Sequence, residues 1–395
     1  MKNTRLIIFI IVIAQFCCTS VWFASNAVLS DLIINFSLNE NALEHLTSAV
    51  QFGFILGTLL FALLAIADRF SPSQVFFACA IAVAVINLST ILESNTFISL
   101  LCVRFATGFF LAGIYPVGMK IASDYSSKGL GKALGFLVGA LVVGTAFPHL
   151  LNSAFFKVSW ENVILATSCI ACIGGLLILV FVPNGPYRKR NYKPALNTGK
   201  VIFKDIKLRT AAFGYFGHMW ELYTFWAFVP VILATYLNFH PLAEINISLL
   251  SFLIIGIGGF SCVIGGYLSS AFGEKKVART ALLLSGCCCL LSPLIFYTDS
   301  TPIFLAFLFF WGMVVVADSP VLSTLVAQNA PAEHRATALT LVNSIGFAIT
   351  IVSLQTISLL SNYIDPKFLY LILVIGPVIG VLALFQKKRN PLPNY

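Results

Sequence analysis

The sequence predicts an all-α membrane protein, with twelve transmembrane helices in two pseudo-symmetric six-helix bundles. Three observations carry that reading. The 395 residues are 59% hydrophobic and 10% charged, with mean hydropathy +0.94. A soluble domain carries about a quarter of its residues as Asp, Glu, Lys and Arg, so this much apolar surface needs lipid around it. The apolar residues fall into runs of about 20, the length that crosses a bilayer as a helix, and only a helix satisfies its own backbone there without a closed barrel. The basic residues then divide unevenly between the two ends of those runs.

The runs lie at about 6–29, 46–67, 74–92, 98–122, 131–152, 161–182, 210–236, 245–270, 277–297, 302–328, 336–361 and 367–386. The first follows Lys2 and Arg5 as a signal peptide would. It is too long for a signal core and more spans follow, so it reads as a retained helix. With both termini inside, the cytoplasmic side holds Lys2, Arg5, Arg69, Lys120, Lys128 and Lys132. It also holds the eight basic residues of 183–209, then Lys275, Lys276, Arg279, Arg335, Lys387, Lys388 and Arg389. Outside lie only Lys157 and Lys367, and Arg104 falls within a span. That asymmetry sets an even number of helices with both ends in the cytoplasm of a bacterial inner membrane.

The 183–209 loop is rich in Pro, Gly and basic residues, which suits a tether held by anionic lipid heads. It divides the chain into a first bundle over 1–182 and a second over 210–395. The halves echo each other. Tyr115-Pro116-Val117 in the fourth span is matched by Ser319-Pro320-Val321 in the tenth. Pro-interrupted segments at corresponding places mark a repeat-built transporter.

With these features the chain resembles the major facilitator superfamily over nearly its whole length. The loop "LAIADRFSPS" keeps Asp68 and Arg69 of the family's loop between spans two and three. Its glycines are replaced by Leu64 and Ser71. The matching loop of the second half, "GYLSSAFGEKK", keeps Gly266, Gly273, Lys275 and Lys276, with Ser270 where the acid belongs. Span four carries the family's Arg and Gly four residues apart, as Arg104 and Gly108, with Thr107 in place of the frequent Gln. The fifth span lacks the Gly-Pro pair of drug antiporters and the Asn-Gly-Gly of nitrate porters, as in unassigned bacterial members. The resemblance implies a functional monomer without cofactor, moving a small molecule by alternating access. Asp68, Arg69 and Gly108 are then gating residues.

Ionisable groups inside spans are expensive and so are functional candidates. Arg104 is the only basic residue well within the membrane, which favours a small organic or inorganic anion as solute. On a continuous helix Tyr115, eleven residues on, shares its face. Glu221, with His218 one turn before it, is the candidate for exchanging protons, the expected coupling ion. Asp318, with Trp311 two turns earlier on the same face, either joins them or pairs structurally. Trp220, Tyr223 and Trp226 offer stacking surfaces for an amphipathic solute, the alternative substrate, with an exporter as the alternative function. Exposure to interfacial water accounts for His149, and snorkelling for Lys120. Gln15, Asn26, Asn343 and Gln355 are equally suited to a polar cavity or to helix–helix bonds.

The cysteines, including Cys169, Cys172 and the 287–289 run, lie in apolar segments and read as small hydrophobes, not as metal ligands. No nucleotide loop or large soluble domain is present, which argues against an enzyme, and the net charge of +9 reads as basic cytoplasmic loops and not as a nucleic-acid surface. A non-transporting sensor is the reading from another class, and the "QKKRNPLPNY" tail is short for a signalling domain.

Overall fold

The structure, a computed structural model, describes residues 4–39, 41–125, 130–153, 158–188, 204–331 and 335–385. Among them, ten helices are long and apolar enough to cross a membrane. These are α2 (Ala42–Leu63), α3 (Pro72–Ile91), α4 (Phe97–Asp124), α5 (Gly131–Leu151), α6 (Trp160–Phe181), α7 (Ile206–Phe239), α8 (Ile247–Phe272), α9 (Glu274–Tyr297), α10 (Thr301–Asn329) and α11 (Thr337–Leu360). Two apolar helices are shorter, α1 (Thr4–Thr19) and α12 (Leu369–Phe385). Lys2, Lys128, Lys157, most of the 183–209 loop and the tail from 386 lie outside the described residues.

Polar residues set several starts. Thr96 and Ser99 form a reciprocal capping box on α4. Asp205 accepts the Lys207 and Leu208 amides at 2.8 Å to open α7, and Asn246 accepts the Leu249 amide at 2.9 Å to open α8. Gly273 separates α8 from α9 at φ +87°, a conformation that glycine adopts without a steric penalty.

The first apolar run departs from expectation. It is not one helix: α1 ends at Thr19, residues 20–23 turn, and short helices Ala24–Ala27 and Leu29–Phe36 follow. The cause is Arg104. Its Nη1 donates to the Val21 carbonyl at 3.2 Å and its Nη2 to the Trp22 carbonyl. Those carbonyls would otherwise accept from residues four further along.

Glycines bring helices into backbone contact. Gly53 and Gly57 of α2 face Phe105 and Phe109 of α4, and Gly108 faces Val50 and Phe54 in return. Gly217, Gly376 and Gly380 do the same for α7 against α12. Without a hydrophobic force between helices in lipid, such close approach is what packing rests on. Helices α1 to α6 pack chiefly among themselves, as do α7 to α12. The two sets meet along α5 against α8, through Gly135, Gly139 and Gly259, and along α2 against α11.

Candidate functional site

Both α4 and α10 are interrupted. In α4 the helix stops at Leu111 and restarts at Tyr115. In α10 it stops at Val314 and restarts at Ser319. Pro116 and Pro320 stand second in the restarted turns, where a missing N–H leaves no bond unmade and the fixed φ suits a helix start. The Cys262 thiol of α8 donates to the Val316 carbonyl at 3.4 Å, within the α10 break.

The two restarts face one narrow central cleft between the halves. Tyr115 and Ser319, the first residues of the restarted segments, line it together with Val316 from the α10 break. Val138 and Leu141 of α5 and Phe347 of α11 add apolar walls. One face of α7 supplies Tyr215, Met219, Leu222, Tyr223 and Trp226. Among the described residues, no charged side chain lines the cleft. Toward the end of the molecule away from Arg69 and Lys120, an aromatic cluster joins the halves. Trp22 stacks on Tyr223 at 5.8 Å and on Phe347 at 5.9 Å, and Phe54 meets Phe347 at 4.5 Å.

Behind this wall lie the ionisable groups. His218 Nδ1 is 2.9 Å from Asp318 Oδ1, both side chains 1% exposed, so α7 is paired with the residue just before the α10 restart. Glu221, also buried, is held on three sides. Its Oε1 accepts the Trp311 indole N–H at 2.7 Å and the Cys289 thiol at 3.3 Å, and its Oε2 accepts the Ser285 hydroxyl at 2.9 Å. The break at 315–318 takes Trp311 and Asp318 off the common face that a continuous helix would give them. Trp311 serves Glu221 and Asp318 serves His218.

Arg104 and Tyr115 part in the same way. The break after Leu111 voids the eleven-residue phase: Arg104 turns to the carbonyls of the turn after α1 and Tyr115 to the cleft. Among the described residues Arg104 forms no ion pair. Trp220 donates its indole N–H to the Ile372 carbonyl of α12 at 3.2 Å and does not line the cleft. Tyr223 and Trp226 do. Asp68 pairs with Lys120 at 2.8 Å, so Lys120 is bonded instead of merely snorkelling. Arg69 is exposed, and Gly108 is buried at the α2–α4 contact. His149 is 2% exposed, which overturns the expectation of interfacial water around it: α5 packs that face on the residues after α1, where Asn152 donates to the Ala27 carbonyl at 2.6 Å. Sequence reasoning missed Tyr215, Met219 and Phe347. Met219 and Tyr215 lie three and seven residues before Leu222, and four and eight before Tyr223, along the α7 face, a helical spacing that offered the only signal.

Solved structures share this architecture. The crystal structure of the human organic anion transporter MFSD10 (TETRAN) superposes with a TM-score of 0.74 at 15% identity, covering 97% of this chain and 100% of that one. A bacterial homolog of the human lysosomal transporter Spinster, inward-facing and occupied, gives 0.70 at 15% identity over 98% of this chain and 97% of that one. No sequence relative is found among curated proteins. The Major Facilitator Superfamily, a family of transporters and not of enzymes, matches residues 11–354, and the chain belongs to it.

Proposed function

We propose that this chain is a proton-coupled secondary transporter that carries a small solute through the central cleft by alternating access. The observation that carries the reading is the position of the cleft, between the halves and at the paired breaks of α4 and α10. Discontinuous helices at a repeat interface are where transporters of this general kind place their sites. The two bundles, 1–182 and 210–395, rock about the cleft, and the 183–209 loop tethers them. Both termini face the cytoplasm of a bacterial inner membrane, which accords with Arg69, Lys120, Lys132, Lys275 and Lys276 lying at the ends of their helices. The small anion suggested by Arg104 meets no cationic side chain at the cleft among the described residues.

His218, Asp318 and Glu221 exchange the proton. Asp318 directly precedes Ser319, so a change of charge in the His218–Asp318 pair acts on the α10 restart that forms one wall of the cleft. Breaking a buried pair on one side is strongly unfavourable, by about 3–5 kcal/mol. Proton binding and the position of that wall are therefore linked. The test uses purified protein in liposomes with a trapped pH dye and a panel of small anions, sugars, amino acids and hydrophobic solutes. Substrate-dependent proton movement in the wild type, lost in Asp318→Asn and Glu221→Gln, is expected. Flux that proceeds with no proton movement would remove the coupling, and absence of flux across the panel would favour the sensor.

A further inference from the structure

The cleft wall has a composition that selects among solutes. Tyr115, Tyr215 and Tyr223 all line it, and each carries a phenol hydroxyl. None of the three forms a hydrogen bond among the described residues, whereas Tyr125 and Tyr236, away from the cleft, both donate to carbonyls. The Trp226 indole N–H is fully buried in the same wall and has no partner. The Ser319 hydroxyl completes the polar set. A buried donor left unmade is unfavourable, and indole N–H groups only donate. These groups call for acceptor atoms on the occupant.

Among the described residues, the rest of the wall is aliphatic, aromatic and thioether, and carries no charge. An ion entering such a cleft would lose its water without gaining a counter-charge. Resting on the reading of the cleft as the transport site, we propose that it binds an uncharged amphipathic molecule: an apolar body bearing one or more acceptor oxygens, as in a ketone, ester, amide or lactone. Tyr115, Tyr215, Tyr223 and Trp226 hold the oxygen, and Met219, unbranched and adaptable, moulds to the body.

Three probes with similar bodies and different heads test this: benzylacetone, phenylbutyrate and phenylbutylammonium. Equilibrium binding is measured at neutral pH to the full chain in nanodiscs, with empty nanodiscs subtracting partition into lipid. Benzylacetone is expected to bind about tenfold more tightly than either ion. Tyr115→Phe, Tyr215→Phe, Tyr223→Phe and Trp226→Phe should each weaken it by about threefold to tenfold, the worth of one hydrogen bond. Their thermal midpoints report folding, and a Phe variant that unfolds is replaced in the comparison by the remaining three. Tighter binding of either ion overturns the proposal. So does wild-type affinity in all the folded variants, or binding of none of the probes. Binding needs no gradient, so ketone binding without coupled flux would sink the transport reading alone, and coupled flux of an ion without ketone binding would sink this one alone.

Discussion

Arg104 answers a question that its place in the sequence raises: what a guanidinium does inside a membrane span. Its fork lies against two successive carbonyls in the turn after α1, those of Val21, which also accepts the Ala24 amide at 3.4 Å, and Trp22. A lysine has the charge but not the planar fork, and a single ammonium does not hold both carbonyls in that geometry. Arg104→Lys is therefore expected to destabilise the protein by about 1–3 kcal/mol, the penalty for a buried acceptor left unpaired. Heating detergent-solubilised wild type and variant, then measuring the monodisperse fraction by size exclusion, reads the loss; equal midpoints would show that the carbonyls find other partners. At this scale the sequence is only half legible. Glu221, His218 and Asp318 stand out because charge in an apolar run is conspicuous. Their partners do not, since Ser285, Cys289 and Trp311 are ordinary residues on α9 and α10 that reach Glu221 only through packing. His149 misleads for the same reason: nearness to a span's end says nothing of which helix covers it.

Helix interruptions show the same division. Those in α4 and α10 are legible because Pro116 and Pro320 mark the restart at matching places. The turn after α1 is not, because "SVWF" holds neither Pro nor Gly and the cause sits eighty residues away in α4. Glycines are legible as a class but not one by one. A Cβ on Gly108 would overlap the Val50 carbonyl and crowd the Phe54 amide, both backbone atoms that cannot turn aside. A Cβ on Gly256 would meet only the Phe252 ring at 3.8 Å and the Ala146 methyl at 4.0 Å, ordinary contacts. Alanine also favours a helix interior over glycine by about 1 kcal/mol. Gly108→Ala should then lower stability by about 1–3 kcal/mol, as overpacking does, while Gly256→Ala is neutral or stabilising. Urea-free thermal melts of the two variants in one detergent decide it. Equal melts would mean that α2 and α4 slide apart at little cost.

At the scale of the whole molecule, alternating access requires that the halves part at one end while they stay joined at the other. At the end remote from Arg69 and Lys120, α2 and α11 are bridged by Gln355, whose Nε2 donates to the Ser48 hydroxyl at 2.9 Å and to the Glu44 carbonyl at 3.4 Å. The aromatic cluster of Trp22, Phe54, Tyr223 and Phe347 lies between this bridge and the cleft. At the other end, the Asp68–Lys120 pair joins two parts of the first half and does not cross the seam. The two contacts should thus respond differently to removal. Gln355→Leu keeps the volume but deletes the bridge, a loss of about 1 kcal/mol that raises opening about fivefold. Hydrogen exchange of the backbone over residues 42–52 and 350–360, in nanodiscs without solute, should accelerate by that factor. Asp68→Asn should leave those segments unchanged and loosen the residues around Ile66–Arg69 instead. If Gln355→Leu left exchange at the seam as it was, closure there would rest on the aromatic cluster alone. The polar bridge would then be a consequence of that closure.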